Sequence, residues 1–314
     1  MKNFKCTIPP IPKDELMHKQ TNLQHCTVDQ LKKLRKPPKL NFLNIIYFLI
    51  FGIPRAIIVL IYSLPAGAIF LIACTIWSSL GSPESFRIKL KHLWSALARV
   101  FLFLLGIYRI NFHGQPDSDC RFILSNHACF FDGWLFLPLL PRPLDKKELL
   151  SLPCFKEMWH VFDGITVDRT KSCGMTHVLI ERASDSSNPM IQMFPEGATT
   201  NGEYMLRFHL GAFLSDLPLQ PVAIRYTLWG IPNNVANISF FHNYPKQWIA
   251  FLGIPAITVD ITFLETHSMK QHMDITPRQF ADQFSLYIAN FLGVPVLDMT
   301  SSAIYKQNQK IKAE

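Results

Sequence analysis

The feature that most constrains this chain is a long apolar stretch near its N-terminus, which runs from about residue 42 to residue 77. Within it, residues 56–77 carry no charged side chain, and a helix of that length can cross the hydrocarbon core of a bilayer. A long basic segment precedes the stretch, and cleavable signal peptides do not have that form. We therefore predict a membrane-embedded helix, with a buried core helix as the alternative.

Basic residues lie on both sides of the apolar stretch. The first forty residues carry nine Lys and Arg against three acidic residues, and three more basic residues lie at positions 87–91. Because loops that stay in the cytosol are rich in Lys and Arg, these flanks favour a helical hairpin that bends at Pro54 or at residues 65–67. A single tilted span is the alternative. Residues 92–108 form a segment too short to span, which we expect to lie on the membrane or to pack on the folded domain.

The amino-acid composition limits which partners the chain can bind and which kinds of site it can form. The 314 residues carry a net charge of +8, with 49% hydrophobic and 17% charged side chains. The basic arm leads directly into the apolar stretch and no aromatic-rich basic platform follows, so we predict membrane lipids rather than nucleic acid as its partner. The seven cysteines form no Cys-x-x-Cys pair, which argues against a zinc site and a disulfide framework and fits a reducing, cytosolic environment. We predict no metal ligands.

After the apolar stretch, predicted strands alternate with predicted helices. Apolar and β-branched runs bounded by turn residues predict strands, and apolar residues at helical spacing predict helices. The strands are predicted at residues 108–114, 121–125, 164–169, 189–194, 219–226 and 257–264, and the helices at residues 133–140, 176–183 and 277–292. This alternation predicts a layered α/β domain.

Polar residues follow three of these strands. His127 and Asp132 follow the second strand, Asp168 and Arg169 end the third, and residues 196–201 form a polar loop after the fourth. Because sites in α/β sheets assemble beyond strand ends, we expect the three loops to converge. A carboxylate five positions from His127 can bind one imidazole nitrogen and leave the other as a general base. An arginine side chain and the backbone amides of the loop can bind phosphate oxygens. Such a site therefore suits a substrate whose reacting hydroxyl lies next to a phosphate.

Each of these groups also has a plain structural interpretation. His127 and Asp132 can be a surface histidine beside a helix-capping aspartate, and Arg169 a residue of a surface salt bridge. Cys129 lies between them and is either a thiol nucleophile or a small residue that fills the turn. The second role is favoured, because a thiol here would have no better-placed partner than His127.

Four short blocks resemble motifs of the glycerophospholipid acyltransferase family. Residues 127–132, with Asn126 before them, resemble its His-x-x-x-x-Asp motif, and residues 164–169, 194–197 and 219–222 resemble its second, third and fourth blocks. The blocks occur in the family's order across about a hundred residues. Residues 194–213 are most similar to the lysophosphatidylcholine/lysophosphatidylethanolamine acyltransferase branch, and the related ancient ubiquitous protein shares part of this stretch.

The resemblance implies a mixed α/β sheet flanked by helices and preceded by an N-terminal helical membrane anchor. It implies a division into a basic cytosolic arm at residues 1–40, a membrane-embedded helical segment at 41–108, an acyltransferase domain at 109–300 and a polar tail at 301–314. It also implies acyl-CoA as a co-substrate and a lysophospholipid as the acceptor, with no bound cofactor.

The resemblance further implies a direct transfer without an acyl-enzyme. His127 acts as general base on the free hydroxyl of the lysophospholipid, which attacks the thioester of acyl-CoA, and Asp132 orients His127. By position, Arg169, Glu196 and Gly197 belong to the site of the acceptor's glycerol phosphate.

Two further positions complete the substrate site that the resemblance implies. Pro221 shapes the pocket, and Thr199 joins the acceptor-binding residues. The family's third block often continues with Thr and Arg, where this chain has Ala198 and Thr199. The missing Arg argues against lysophosphatidic acid as the acceptor.

The ends of the chain bear on location and on the alternatives. Residues 310–314 resemble a Lys-x-Lys-x-x retrieval signal, which implies the endoplasmic reticulum membrane with a cytosolic catalytic domain; the lipid droplet is a second location, and a solvated tail is the alternative interpretation. We expect the sequon at Asn237 to stay unglycosylated. The alternative functions are a non-catalytic membrane or lipid-droplet scaffold on the same fold, and an acyltransferase acting on lysophosphatidic acid or glycerol 3-phosphate.

Overall fold

A computed structural model describes residues 23–27, 30, 40, 42–167, 175–229 and 245–302 of the chain. Most of the basic arm, Asp168 with Arg169, the sequon at Asn237 and the retrieval-like tail lie outside the described residues. The predictions made for those segments, and the domain boundaries as a whole, stay predictions.

The apolar stretch forms one long helical segment. Helix α1 spans Phe42–Tyr47, a π-helical turn follows at Phe48–Gly52, and helix α2 spans Ile53–Ser79. The combined segment Phe42–Ser79 is long and apolar enough to cross a membrane, and little of it is buried. Helix α2 continues through Pro65, so neither predicted bend is present.

The chain reverses instead just after α2. Gly81 and Ser82 both have positive φ angles, of 79° and 57°, and helix α3 begins after Pro83 and spans Glu84–Leu104. The left-handed backbone that glycine favours makes a tight reversal possible here. The hairpin is therefore α2 followed by α3, and its bend lies about fifteen residues beyond the predicted one at residues 65–67.

Helix α3 packs along α2. The hydroxyl of Tyr62 donates a hydrogen bond to the carbonyl of Leu97 at 2.9 Å. Closer to the reversal, the rings of Phe70 and Trp94 contact each other with centroids 4.5 Å apart. Since α3 also packs on the folded domain, the structure favours the second of the two expectations for residues 92–108.

Helix α2 is joined to the domain at both of its ends. At its start, the buried guanidinium of Arg55 donates to the carbonyls of Leu252 (3.0 Å) and Ile254 and to the hydroxyl of Tyr108 (2.9 Å). At its end, the ring of Trp77 contacts the ring of His160, with centroids 5.2 Å apart. A helix of 27 residues is about 40 Å long, so α2 lies along the domain over its whole length.

A seven-stranded sheet forms the centre of the domain. Its order is β1-β8-β7-β2-β5-β3-β4, with every neighbouring pair parallel except β7 and β8, which are antiparallel. The strands are β1 Ile107–His113, β2 Phe122–Ser125, β3 Arg142–Lys146, β4 Ile165–Val167, β5 Ile191–Met193, β7 Leu219–Trp229 and β8 Ala256–Phe263. A second, two-stranded sheet pairs β6 Met205–Leu206 with β9 Val296–Leu297. The mixed α/β sheet confirms the predicted fold class.

Short and long helices surround the sheet. The long C-terminal helix has the predicted bounds, and the helix predicted at residues 176–183 is one residue longer at each end. The described helices after the hairpin are α4 Asp132–Leu135, α5 Phe155–Phe162, α6 Met175–Ser184, α7 Pro245–Leu252 and α8 Pro277–Leu292.

One predicted helix was wrong, and three elements were missed. The helix predicted at residues 133–140 is only the four-residue α4 and a 3₁₀ turn at Leu137–Leu139, because the chain turns into a left-handed conformation at Leu140. Strand β3 was missed, since Pro141 and Pro143 indicate a break. Helices α5 and α7 were also not predicted.

The central strand β2 is covered on both faces. Ile123 belongs to a core beneath α3 and α7, whereas Phe122 and Leu124 belong to a second core beneath α6 and α8. All four residues of β2 are fully buried, as expected for a parallel strand between two layers of helices. The loop after Ser125 therefore begins at the rigid centre of the domain.

Candidate active site

His127 and Asp132 are in direct contact in the loop that follows β2. The Nδ1 atom of His127 lies 2.9 Å from the Oδ2 atom of Asp132. The carboxylate is fully buried, whereas 19% of the His127 side chain is exposed. The predicted pairing of these two side chains is therefore present, with the imidazole between the carboxylate and the outside.

The Asp132 carboxylate is held by several donors. Its Oδ2 atom accepts the backbone N–H groups of Ala128 at 2.7 Å and of Cys129 at 2.9 Å. Its Oδ1 atom accepts the hydroxyl of Tyr226 on β7. Hydrogen bonds of this kind fix the orientation of the carboxylate, so that it can accept Nδ1–H of His127. The Nε2 atom is then the imidazole nitrogen that can accept a proton.

The imidazole ring itself is held by an aromatic stack. The ring of Phe194, just after β5, lies 4.1 Å from the His127 ring between centroids, with an interplanar angle of 13°. The Asp132 contact fixes one edge of the imidazole and Phe194 covers one face. The ring has little freedom to turn away from a substrate.

Two polar side chains fix the backbone of the loop. The amide of Asn126 both donates to the carbonyl of Ile224 (3.0 Å) and accepts its N–H (2.8 Å), which ties the end of β2 to β7. The carboxylate of Glu196 accepts the N–H of His127 on one oxygen and the N–H of Leu206 on the other, each at 2.8 Å. The carbonyl of His127 accepts the N–H of Thr200 at 2.7 Å.

Glu196 lies behind the His127 backbone. Its side chain is fully buried, and burial raises the pKa of its carboxyl group to about 8, although the two backbone N–H groups oppose the increase. Since both oxygens are used inside the loop, the geometry favours a positioning role. Contact of Glu196 with the acceptor's phosphate, which the resemblance implies, stays a prediction.

The remaining predicted substrate residues lie around this loop. Gly197 has a φ of +69°, and a Cβ atom there would lie 2.7 Å from the Oγ of Ser301, so a larger residue would be strained and crowded. Thr199 is half-buried in the same loop. Pro221 is buried in β7 opposite Leu124, beneath the catalytic loop. Arg169 is outside the described residues.

The structure argues against Cys129 as a nucleophile. Its thiol is fully buried, and burial followed by the charge of Asp132 raises its pKa far above the ordinary value. The thiol therefore stays protonated at neutral pH and cannot supply the thiolate that a cysteine nucleophile needs. Cys129 fills the turn, as the sequence favoured. Among the described residues, no group of three or more His, Cys, Asp and Glu side chains is arranged to hold a metal ion.

Sequence reasoning missed Tyr226 and the role of Phe194. Tyr226 lies near the end of a strand that is mostly apolar, so its pattern is that of an ordinary strand residue. Tyr226 lies two positions after Ile224, so the two side chains are on the same face of β7.

The loop that carries His127 and Asp132 also packs against the helical hairpin. Phe101 of α3 contacts the rings of Phe131 (5.9 Å) and Trp134 (5.1 Å), which belong to the loop and to α4. The neighbouring Phe130 is largely exposed. The apolar hairpin is therefore in direct contact with the loop that carries the His127–Asp132 pair.

Comparison with known proteins identifies relatives. The sequence model of the family described as Acyltransferase matches residues 109–225. The human lysophospholipid acyltransferase LPCAT4 is 30% identical over 214 residues, which make up 64% of this chain and 40% of that protein. Human lysophosphatidylcholine acyltransferase 1 is 26% identical over 258 residues, or 76% of this chain and 47% of that protein. The chain spans less than half the length of these relatives.

A solved structure supports the fold. The crystal structure of the 1-acyl-sn-glycerophosphate (LPA) acyltransferase PlsC from Thermotoga maritima matches with a TM-score of 0.50 and 16% identity, over 81% of this chain and 96% of that chain. At that identity the likeness concerns the fold alone. The family match and the sequence relatives cover the strand-end loops that carry His127, Asp132 and Glu196, and it is through residues 109–225 that the chain is similar to the acyltransferase family.

Proposed function

We propose that this protein is a membrane-bound acyl-CoA:lysophospholipid acyltransferase, which acts on a lysophosphatidylcholine or lysophosphatidylethanolamine type of acceptor. The observation that carries the proposal is the 2.9 Å contact between His127 and Asp132 in a loop fixed from three sides. Relatives named as lysophospholipid acyltransferases support the acceptor class.

The proposed mechanism is a direct transfer. Nε2 of His127 removes the proton from the free hydroxyl of the acceptor, whose oxygen attacks the thioester carbonyl of acyl-CoA. The tetrahedral intermediate collapses by breaking the carbon–sulfur bond, and the leaving thiolate takes the proton from the imidazolium. Asp132 holds Nδ1–H and stabilises the transient positive charge. No covalent acyl-enzyme forms and no bound cofactor takes part.

We propose that α2 lies in the plane of the membrane and does not cross it. A domain on one side of a bilayer cannot contact both ends of a crossing helix, yet Arg55 and Trp77 both contact the domain. The opposite face of the helical segment is exposed and apolar, which suits an interfacial helix. Its exposed large side chains include Leu49, Ile50, Ile53, Ile57, Ile58, Leu60, Ile61, Leu64, Ile69, Ile72 and Ile76.

An in-plane hairpin suits a lipid substrate. Because Phe101 of α3 contacts Phe131, which lies in the same loop as His127, an acceptor whose chain stays in the membrane has a short path to the base. We place the protein in the endoplasmic reticulum membrane with its catalytic domain in the cytosol, and the lipid droplet is the second location. Acyl-CoA then reaches the site from the cytosol.

The test is acyl transfer by membranes that carry the protein. Labelled acyl-CoA is supplied with a panel of acceptors: lysophosphatidylcholine, lysophosphatidylethanolamine, lysophosphatidic acid and glycerol 3-phosphate. The proposal predicts transfer to one of the first two, above membranes without the protein. Preference for lysophosphatidic acid or glycerol 3-phosphate would show that the proposed acceptor class is wrong. Absence of transfer to every acceptor would favour a non-catalytic scaffold.

A further inference from the structure

The hydroxyl of Tyr226 connects the central sheet to the His127–Asp132 pair. Tyr226 is buried in β7 and donates a hydrogen bond to the Oδ1 atom of Asp132. The other carboxylate oxygen, Oδ2, serves Ala128, Cys129 and His127. Within the described part of the chain, Tyr226 is therefore the residue that binds the oxygen facing away from the histidine.

The strand holds Tyr226 in register with the loop. The side chain of Asn126 binds both the carbonyl and the N–H of Ile224, which lies two residues before Tyr226 in β7. Behind it, Tyr226 is paired with Val259 of β8 in the antiparallel part of the sheet. The hydroxyl thus has a fixed position relative to Asp132.

We propose that Tyr226 is a positioning residue for the reaction: its hydroxyl binds the Oδ1 atom of Asp132 and takes up part of the charge of that carboxylate, which weakens the attraction of Asp132 for a proton on His127. This inference rests on the proposed function. A carboxylate that accepts one hydrogen bond fewer keeps more of its negative charge, and it therefore stabilises a neighbouring imidazolium more strongly. Loss of the hydroxyl should therefore favour protonation of His127.

Tyr226 acts in this role only as a donor. Burial, followed by the charge of Asp132, raises the pKa of its phenol well above the ordinary value, so it keeps its proton at neutral pH. The other ionisable groups against the network are Cys129, whose thiol contacts the Tyr226 hydroxyl, and Glu196, which accepts the N–H of His127. Of these, Glu196 has a pKa of about 8 and is unchanged in the test below.

The test uses Tyr226→Phe, which removes the hydroxyl and keeps the ring. Tyr287→Phe is the matched control, because Tyr287 is also buried but lies in α8, where its ring contacts His267. Labelling of His127 by diethyl pyrocarbonate, which acylates unprotonated imidazole, is followed against pH and assigned to its peptide by mass spectrometry. The partial exposure of His127 makes this labelling possible.

We expect the labelling midpoint of His127 to move to higher pH in Tyr226→Phe by about half to one pH unit, and to stay at the wild-type value in Tyr287→Phe. Acyl transfer by Tyr226→Phe should fall several-fold at pH 6.5 and recover towards the wild-type rate at pH 8.5. An unchanged midpoint, or a midpoint that moves to lower pH, would overturn the inference.

The two proposals fail in different ways. If the wild type transfers no acyl group to any acceptor, the proposed function fails, but the labelling midpoints still decide the role of Tyr226. If the wild type is active and the Tyr226→Phe midpoint is unchanged, Tyr226 only packs. A loss of activity that is the same at every pH would also mean that Tyr226 only packs.

Discussion

The imidazole ring of His127 lies nearly flat on the ring of Phe194, with centroids 4.1 Å apart. This stack connects the loop after β2 with the loop after β5, and the Glu196 carboxylate connects the same two loops two residues further on. His127 is thus held by its ring and by its backbone from one neighbouring loop.

Replacing Phe194 by Leu should reduce the rate of acyl transfer without unfolding the protein. Leu fills much of the same space but offers no flat face, so the imidazole samples unproductive orientations and kcat falls by about tenfold with little change in KM. Steady-state kinetics on membranes would measure both. Phe208→Leu is the control, because Phe208 is buried in the second core away from His127. Equal kinetics for Phe194→Leu and wild type would contradict the positioning role of the stack.

Asp132→Asn should abolish most of the activity while the fold persists. The amide has the shape of the carboxylate but lacks its charge and presents an N–H to groups that need an acceptor, so Nδ1–H of His127 is no longer held. We expect kcat to fall by about 10³-fold. Asp260→Asn is the control, since Asp260 lies on β8 and contacts an exposed histidine, His113, at 2.9 Å. Activity of Asp132→Asn within tenfold of wild type would rule out the assigned role.

The amino-acid sequence predicted the parts of this site that are local. His127 and Asp132 are five positions apart, and an apolar strand before them predicts a turn that brings them together. The contacts of His127 with Glu196 and of Asp132 with Tyr226 join residues 69 and 94 positions apart. Those contacts depend on the order of strands in the sheet, which local patterns do not contain.

The same distinction applies to the fold. Apolar runs predicted β2, β7, β8 and α8, because burial on a strand or on one helix face leaves a local signature. Strand β3 was missed because Pro141, just before it, and Pro143, within it, indicate a break. In the structure, Pro143 is tolerated in the strand and pairs with Gln192 of β5. The bend of the hairpin was misplaced because Pro65 is accommodated inside α2, whereas Gly81 and Ser82 make the reversal.

Glu196 should make the stability of the protein depend on pH. Burial raises the pKa of its carboxyl group from 4.5 to about 8, so the folded chain retains a proton that the unfolded chain releases. The contribution to stability is full below about pH 4.5 and is lost as the pH rises through about 8, on the order of 1 kcal/mol per pH unit. Glu196→Gln has no such proton, and its Tm between pH 5 and 8 should decline less than that of wild type.

Thermal unfolding in detergent at several pH values would measure this difference. Glu203→Gln, in the same loop but exposed, is the control and should follow the wild-type curve. Parallel curves for wild type and Glu196→Gln would show that the buried carboxyl group does not titrate in this range.

The in-plane orientation of α2 predicts that the reversal at Gly81 and Ser82 faces the cytosol. A membrane-impermeant maleimide should therefore label Ser82→Cys in sealed microsomes as readily as Ser118→Cys, which lies in an exposed loop of the domain. Labelling of Ser82→Cys only after detergent opens the vesicles, with Ser118→Cys labelled throughout, would indicate a crossing helix. We also expect Asn237 to carry no glycan when the protein is made in microsomes.

The central claim is that His127 is the general base of acyl transfer, and the most direct measurement is transfer of labelled acyl groups by His127→Ala. His113→Ala is the matched control, because His113 also contacts an aspartate but is exposed on β1. We predict that His127→Ala loses activity by at least about 100-fold, while His113→Ala keeps the wild-type rate. Transfer by His127→Ala at the wild-type rate would contradict the assignment.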